Sequence, residues 1–145
     1  MSLFENIGGK EVLQKVHKTF YDKLYKHPWL KDFFLGTEQE LIENQQTDFI
    51  TKAMGGPNKY IGRDPIQAHK PMFITEEQFE IRHALLKESI KENSVSEENM
   101  NAWLKIDYAF KFAICKKSIN DCERKFASEE IKVVPKPSGW DKKAA

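Results

Sequence analysis

Two polar residues stand where the pattern of this chain asks for apolar ones. Tyr21 falls on the stripe Val12-Leu13, Val16, Phe20 and Leu24. Gln46 falls on the stripe Leu41-Ile42, Phe49-Ile50 and Ala53, four residues from both Ile42 and Ile50. A hydroxyl or carboxamide withdrawn from water needs a hydrogen-bond partner. Either each bonds nearby backbone or lies at a rim, or the two line one pocket and serve a ligand. The third candidate is His69, which follows a Gly- and Pro-rich stretch and precedes Lys70-Pro71-Met72-Phe73-Ile74. It is either a solvated loop histidine or one on the wall of a hydrophobic space, a suitable place for an axial metal ligand.

Other chemistries find little support. The four histidines, His17, His27, His69 and His83, form no zinc pattern with Cys115 and Cys122, and no H-E-x-x-H occurs. No nucleophile elbow, P-loop or G-x-G-x-x-G is present, so hydrolytic and nucleotide chemistry are not expected. With 23 Lys+Arg against 22 Asp+Glu, the chain lacks the concentrated positive field that nucleic acid or an anionic membrane requires. No apolar run approaches the ~20 residues that span a bilayer. Met1-Ser2-Leu3-Phe4-Glu5 shows no basic segment followed by an apolar stretch, so no secretory signal is expected. Two cysteines do not make a disulfide framework. A reduced, cytoplasmic protein is the expectation.

The elements that position these residues read as helices. The 145 residues suit one domain, and 40% hydrophobic with 31% charged residues suits a packed core under a solvated surface. A first helix is predicted from Lys10 to Tyr25, between Gly8-Gly9 and His27-Pro28. Trp29–Leu35 fits a helical turn or two. A second helix is predicted from a Thr37 cap, with Glu40 three residues on, to Met54 before Gly55-Gly56-Pro57. Residues 55–70 read as loop with at most a short helix over 64–69. Thr75 and Gln78 form a capping pair for a helix to Asn93, with Phe79, His83, Leu86 and Ile90 on one face. Residues 94–98 start a last helix, predicted to reach Ser128 with Met100, Trp103, Leu104, Tyr108, Phe112, Cys115 and Ile119 on its apolar face. Cys115 and Cys122 would share a face of that helix in the core, and His17 and His27 read as surface residues. Residues 131–145 read as an extended tail outside the core, leaving 1–130 as the domain. A long irregular segment in an all-α protein must be held by something, and a bound cofactor is one candidate.

The ordered set Phe20-Tyr21, Phe33-Phe34, Gln46 with Phe49, Gly55-Gly56-Pro57, Tyr60-Ile61-Gly62-Arg63-Asp64 and His69 with Phe79 ten residues later resembles the truncated haemoglobins. These are small two-over-two α-helical globins, and the resemblance spans residues 3–120. It implies a b-type haem (iron protoporphyrin IX) between the second helix and the His69 segment, with His69 as proximal iron ligand. Tyr21 then matches the distal tyrosine and Gln46 the distal glutamine, both donating to the bound gas. Phe34 matches the aromatic residue packed on the porphyrin face, and Phe49 the one lining a ligand route. Ile42, Gln45, Tyr60, Phe73 and Phe79 complete the implied haem contacts, and Lys59 and Arg63 are candidates for the propionates.

Several residues depart from the family pattern. Ile42 is apolar where many globins carry a distal histidine or glutamine. Tyr21 with Gln46 resembles the family's first group, whereas residues 69–74 resemble the second. The second group's tryptophan in the following helix would fall near Arg82, which either reaches a propionate or faces solvent. His83 is either a satisfied rim histidine or a second ligand or proton relay. The resemblance implies oxygen, nitric oxide and carbon monoxide as ligands. The implied functions are nitric oxide dioxygenation with an external reductase, or oxygen storage, delivery or sensing through a separate partner. A weak peroxidase activity is a further option. Without haem, the fallback is a helical interaction module.

Overall fold

The computed structural model describes residues 2–57, 65–124 and 128–140, with the backbone alone for Pro65 and Ile66. Lys59, Tyr60, Gly62 and Arg63 of the expected site lie outside the described residues.

Helix α1 (Leu3–Ile7) is capped by Ser2, whose hydroxyl accepts from the Glu5 N–H at 3.2 Å. The chain then turns through Gly8 at φ 112°, where a Cβ would come within 2.6 Å of a Val12 methyl carbon. Helix α2 (Lys10–Lys26) follows, as the apolar spacing predicts, and ends before Pro28. Its buried stripe is Leu13, Val16, His17, Phe20, Tyr21 and Leu24. A 3-10 turn (Leu30–Phe34) begins where His27 Nδ1 accepts the N–H groups of Trp29 and Leu30, both at 3.1 Å. His27 is therefore buried, not a surface residue. Its ring satisfies orphan donors that a turn otherwise leaves to water.

Helix α3 (Gln39–Ala53) begins at Glu38 with no side-chain cap, so the predicted Thr37 cap is not used. The Thr37 carbonyl is instead the acceptor for the Tyr25 hydroxyl at 2.8 Å. The buried residues of α3 are Thr47, Ile50 and Thr51. Leu41, expected inside, is 52% exposed, and Ala53 is exposed too. Short α4 (Pro65–His69) leads to strand β1 (Met72–Phe73). Helix α5 (Glu76–Glu92) opens on the predicted capping box, with Thr75 and Gln78 each bonding the other's backbone N–H.

Helix α6 (Glu97–Tyr108) starts at Ser96 and stops far short of Ser128. One further turn, α7 (Lys111–Ile114), follows. Beyond it the backbone pairs with the segment after α4: Lys116 N–H donates to the Ile74 carbonyl at 2.8 Å and Glu123 N–H to the Lys70 carbonyl at 3.0 Å. Those partners replace a helical ladder, so Phe112 is 81% exposed and Ile119 also faces solvent. Cys115 and Cys122 share no helix face. They are free, half-buried thiols, and burial pushes Cys115 up to about 11.

Residues 131–140, part of the segment predicted to lie outside the core, dock on it. Strand β2 (Lys132–Val133) pairs in parallel with β1, Met72 opposite Lys132 and Phe73 opposite Val133. Val134 is buried, and its carbonyl accepts from Trp29 Nε1 at 3.2 Å and Gln78 Nε2 at 3.1 Å. Trp140 packs on Trp29 and His27. The main architecture is two helix pairs, α2 with α3 and α5 with α6, joined through α2 against α5. The core lies between the pairs and contains Leu13, Phe20, Leu86, Ile90, Met100 and Trp103. Among the described residues no helix is long and apolar enough to cross a membrane.

Candidate functional site

Among the described residues three bonds tie α2 to α3 and to the segment just before it. His17 Nδ1 and Thr47 Oγ1 lie 2.7 Å apart, Gln39 Nε2 donates to Asp22 at 2.6 Å, and Tyr25 reaches Thr37. Residue numbers rise on one helix as they fall on the other, so the pair is antiparallel. In that register Tyr21 lies level with Ile42 and Glu43, and Gln46 falls about one turn away, beside Thr47.

His17 was expected at the surface and is 1% exposed. It sits four residues from both Leu13 and Tyr21, on the buried stripe. Burial, together with the Arg82 charge, pushes its imidazole down to about 3, so at neutral pH it is an uncharged partner for Thr47.

Tyr21 is 5% exposed and meets Phe20 at 5.0 Å and Phe34 edge-on at 5.9 Å. Burial pushes its phenol far above the ordinary tyrosine value, so the hydroxyl remains a donor. No residue among those described bonds that hydroxyl. Nor is it sealed: among the described residues the polar side-chain atoms sealed without a partner are His27 Nε2 and Trp140 Nε1. The Tyr21 hydroxyl therefore opens onto space from an otherwise enclosed ring. Gln46 is half-buried and likewise has no hydrogen-bond partner among the described residues.

The surroundings of these two groups are apolar. Ile42 and Phe49 are half-buried on α3, and Phe49 meets Phe110 edge-on at 5.8 Å. Phe34 stacks on Tyr25 at 5.0 Å. Phe73 is half-buried in β1. Gln45 is exposed, unlike its neighbour Gln46. Phe79 is buried, stacked on His83 and under Arg82. His69 closes α4, half-buried, and its carbonyl accepts from the Lys116 ammonium.

Arg82 is half-buried, with its side chain 27% exposed and turned onto Asp107. It donates from Nη1 to both oxygens of Asp107 at 2.8 Å. His83 Nδ1 donates to the same carboxylate at 2.7 Å, so His83 is a satisfied histidine. Burial raises the Asp107 carboxyl, but Arg82 and His83 outweigh it and hold the group below the usual carboxylate range. Sequence reasoning missed Asp107, although it lies four residues beyond Trp103 on the buried face of α6. A polar residue on an apolar stripe was the available signal.

The residues present fit a haem. Among the described residues no group of three His, Cys, Asp or Glu could hold a metal ion on its own. A haem iron needs one protein ligand, which a half-buried histidine at a helix end can supply. The apolar wall and the unpartnered Tyr21 donor suit a flat hydrophobic cofactor carrying a small polar ligand.

Comparison with known proteins agrees. The family model for bacterial-like globins matches residues 2–116. A group 1 truncated haemoglobin of Tetrahymena pyriformis is 31% identical over 105 residues, covering 72% of this chain and 87% of that protein. A group 1 protein of Mycolicibacterium paratuberculosis is 30% identical over 100 residues, 69% of this chain and 74% of that protein. The crystal structure of the Tetrahymena pyriformis truncated haemoglobin in its Fe(III) form superposes with a TM-score of 0.74 at 29% identity, covering 81% of this chain and all of that one. The chain belongs to the bacterial-like globins and is a two-over-two truncated haemoglobin, closest to group 1, a haem-iron protein that binds diatomic gases.

Proposed function

We propose that this chain retains oxygen on a b-type haem and uses it to convert nitric oxide to nitrate. His69 is the proximal ligand, and Tyr21 and Gln46 are the hydrogen-bonding groups on the gas side. The observation that carries this reading is the Tyr21 hydroxyl, a protonated donor on a 5%-exposed residue with no protein partner among those described. A protonated donor on an apolar wall, without a protein partner among the described residues, favours whatever ligand accepts from it, because such bonds count for more in a low dielectric. Phe34, Ile42, Phe49 and Phe73 hold the macrocycle by apolar contact and exclude water. Lys59 and Arg63 take its propionates.

Haem supplies the iron that binds the gas. The residues of this chain supply orientation and polarity. Tyr21 keeps its proton, so it donates without being consumed, and Gln46 donates its amide N–H beside it. The net reaction joins nitric oxide, oxygen and one electron into nitrate. That electron comes from an external reductase in the cytoplasm.

Two experiments test the reading. The protein loaded with haem, reduced and exposed to oxygen, should show a Soret band that shifts on oxygenation and is lost or weakened in His69→Ala. Rapid mixing of the oxygenated protein with nitric oxide should yield nitrate stoichiometrically, and cells carrying the protein should re-reduce the iron. A reaction no faster than that of a storage globin, with no re-reduction, overturns the dioxygenase role. Oxygen release fast enough for exchange then favours storage or delivery.

A further inference from the structure

Arg82 is bound on one side only. A guanidinium carries five N–H donors, and Nη1, which bonds Asp107, holds two of them. The donors on Nη2 and Nε have no partner among the described residues, and neither atom is sealed. The group lies against the Phe20 ring at 5.2 Å and the Phe79 ring at 5.7 Å. Phe20 in turn touches Tyr21. An arginine in a plain structural ion pair commonly spends its fork on the carboxylate; here half the fork is left over.

The ion pair also has a direction. Asp107 belongs to α6, and the guanidinium reaches from α5 over an aromatic ring of α2. Tyr21 and His17, both on α2, feel the charge of Arg82 more strongly than that of Asp107. Burial draws the guanidinium down, but the Asp107 carboxylate outweighs it and the group stays charged. The pair is thus a fixed dipole with its cationic end toward the Tyr21 side of α2. Asp107 anchors it and, being filled by His83 as well, has no oxygen left without a donor.

We propose that Arg82 is a third polar determinant of ligand binding, a fixed positive charge separated from Tyr21 by the Phe20 ring, that favours anions and ligands that become more negative on binding. This rests on the placement of Tyr21 on the gas side. The Arg82 side chain is 27% exposed, so its charge is partly screened, but across the apolar Phe20 ring it still acts over several ångströms.

Two probes read the field directly. One is azide titration of the ferric protein; the other is the infrared C–O stretch of the ferrous protein under carbon monoxide. Arg82→Gln should weaken azide binding about tenfold, a change of ~1.4 kcal/mol, and raise the stretching frequency. Asp107→Asn removes the opposing charge and should do the reverse, tightening azide and lowering the frequency. Arg82→Lys should recover most of the azide affinity. Opposite signs for the two partners of one ion pair are not expected of a merely structural role. Unchanged azide affinity and frequency in both variants, or shifts of one sign in both, overturn the proposal. If Arg82→Gln does not fold, Asp107→Asn alone decides by its sign. Tyr21→Phe, measured alongside, separates the two ideas. A frequency that moves in Tyr21→Phe but in neither Arg82 nor Asp107 variants overturns Arg82 only, and one that moves in none overturns the placement of Tyr21 as well.

Discussion

Two neighbouring turns of the α2–α3 interface carry polar residues and use them in opposite ways. At one turn His17 and Thr47, both 1% exposed, bond each other at 2.7 Å through Nδ1 and Oγ1. One turn along, Tyr21 and Gln46 have no hydrogen-bond partner among the described residues. The first pair closes the interface and sets its register. The second pair holds polarity in reserve where the helices meet an apolar space. A buried polar residue is thus not in itself a functional signal; what marks the site is a buried polar residue without a protein partner.

The largest effect expected from this contrast is in acid. His17 is held at about 3 in the folded chain and returns to its ordinary 6.5 on unfolding. Between those values the unfolded state binds a proton that the folded state does not, so stability rises with pH. The contribution is intact above the unfolded value and is lost as pH falls from ~6.5 toward 3, at up to ~1.4 kcal/mol per pH unit. Urea unfolding of the wild type and of His17→Gln at pH 7, 6, 5 and 4 should therefore diverge in slope by about one proton. Parallel slopes would show that His17 is charged or solvated in the folded chain.

Breaking the closed pair from the other side comes next. Thr47→Val keeps the shape and leaves His17 Nδ1 buried without a partner. The expected cost is about 1–3 kcal/mol, read as a lower urea midpoint at unchanged slope. Gas release should not change. A variant that keeps full stability but releases oxygen faster would move Thr47 into the ligand's surroundings and dissolve the contrast.

Tyr21→Phe should give the mirror image. The hydroxyl bonds no described residue, so its removal should alter stability by less than ~0.5 kcal/mol. Loss of one dry hydrogen bond to the gas should speed oxygen release about tenfold. Stopped-flow displacement of oxygen by carbon monoxide measures the rate. A large drop in stability with no change in release would make Tyr21 another structural residue like His17.

The sequence showed the helices and the two reserve groups, since both rest on local spacing. Tyr21 and Gln46 were visible as polar residues on apolar stripes. The same spacing was there to be read at His17, four residues from Leu13 and from Tyr21, and at Asp107, four from Trp103, but the first reads as a surface residue and the second was missed; their bonds are set by partners on other helices, Thr47 on α3 and Arg82 on α5. The end of α6 was hidden for a related reason. Apolar spacing continues through Phe112, Cys115 and Ile119, but the backbone beyond α7 pairs with Ile74 and Lys70, distant in sequence. Val134 gave no local sign of burial because Trp29 and Gln78 create its place.

The smallest effect belongs to Gln46, and it decides the order within the reserve pair. Its amide is half-buried, so it is less dry than the Tyr21 hydroxyl, and its longer side chain loses more rotamer freedom when it donates. Gln46→Leu removes a group with no described partner and adds apolar surface beside Ile42 and Phe49. Stability should hold or rise slightly, and oxygen release should quicken only about two- to threefold, a fraction of one hydrogen bond. In Tyr21→Phe the same change should have a larger effect than in the wild type, because Gln46 is then the remaining donor and the two share one acceptor. Release that quickens more in Gln46→Leu than in Tyr21→Phe would make the amide the principal donor and the hydroxyl its support. Additive effects in the double variant would mean that the two groups act on different sites.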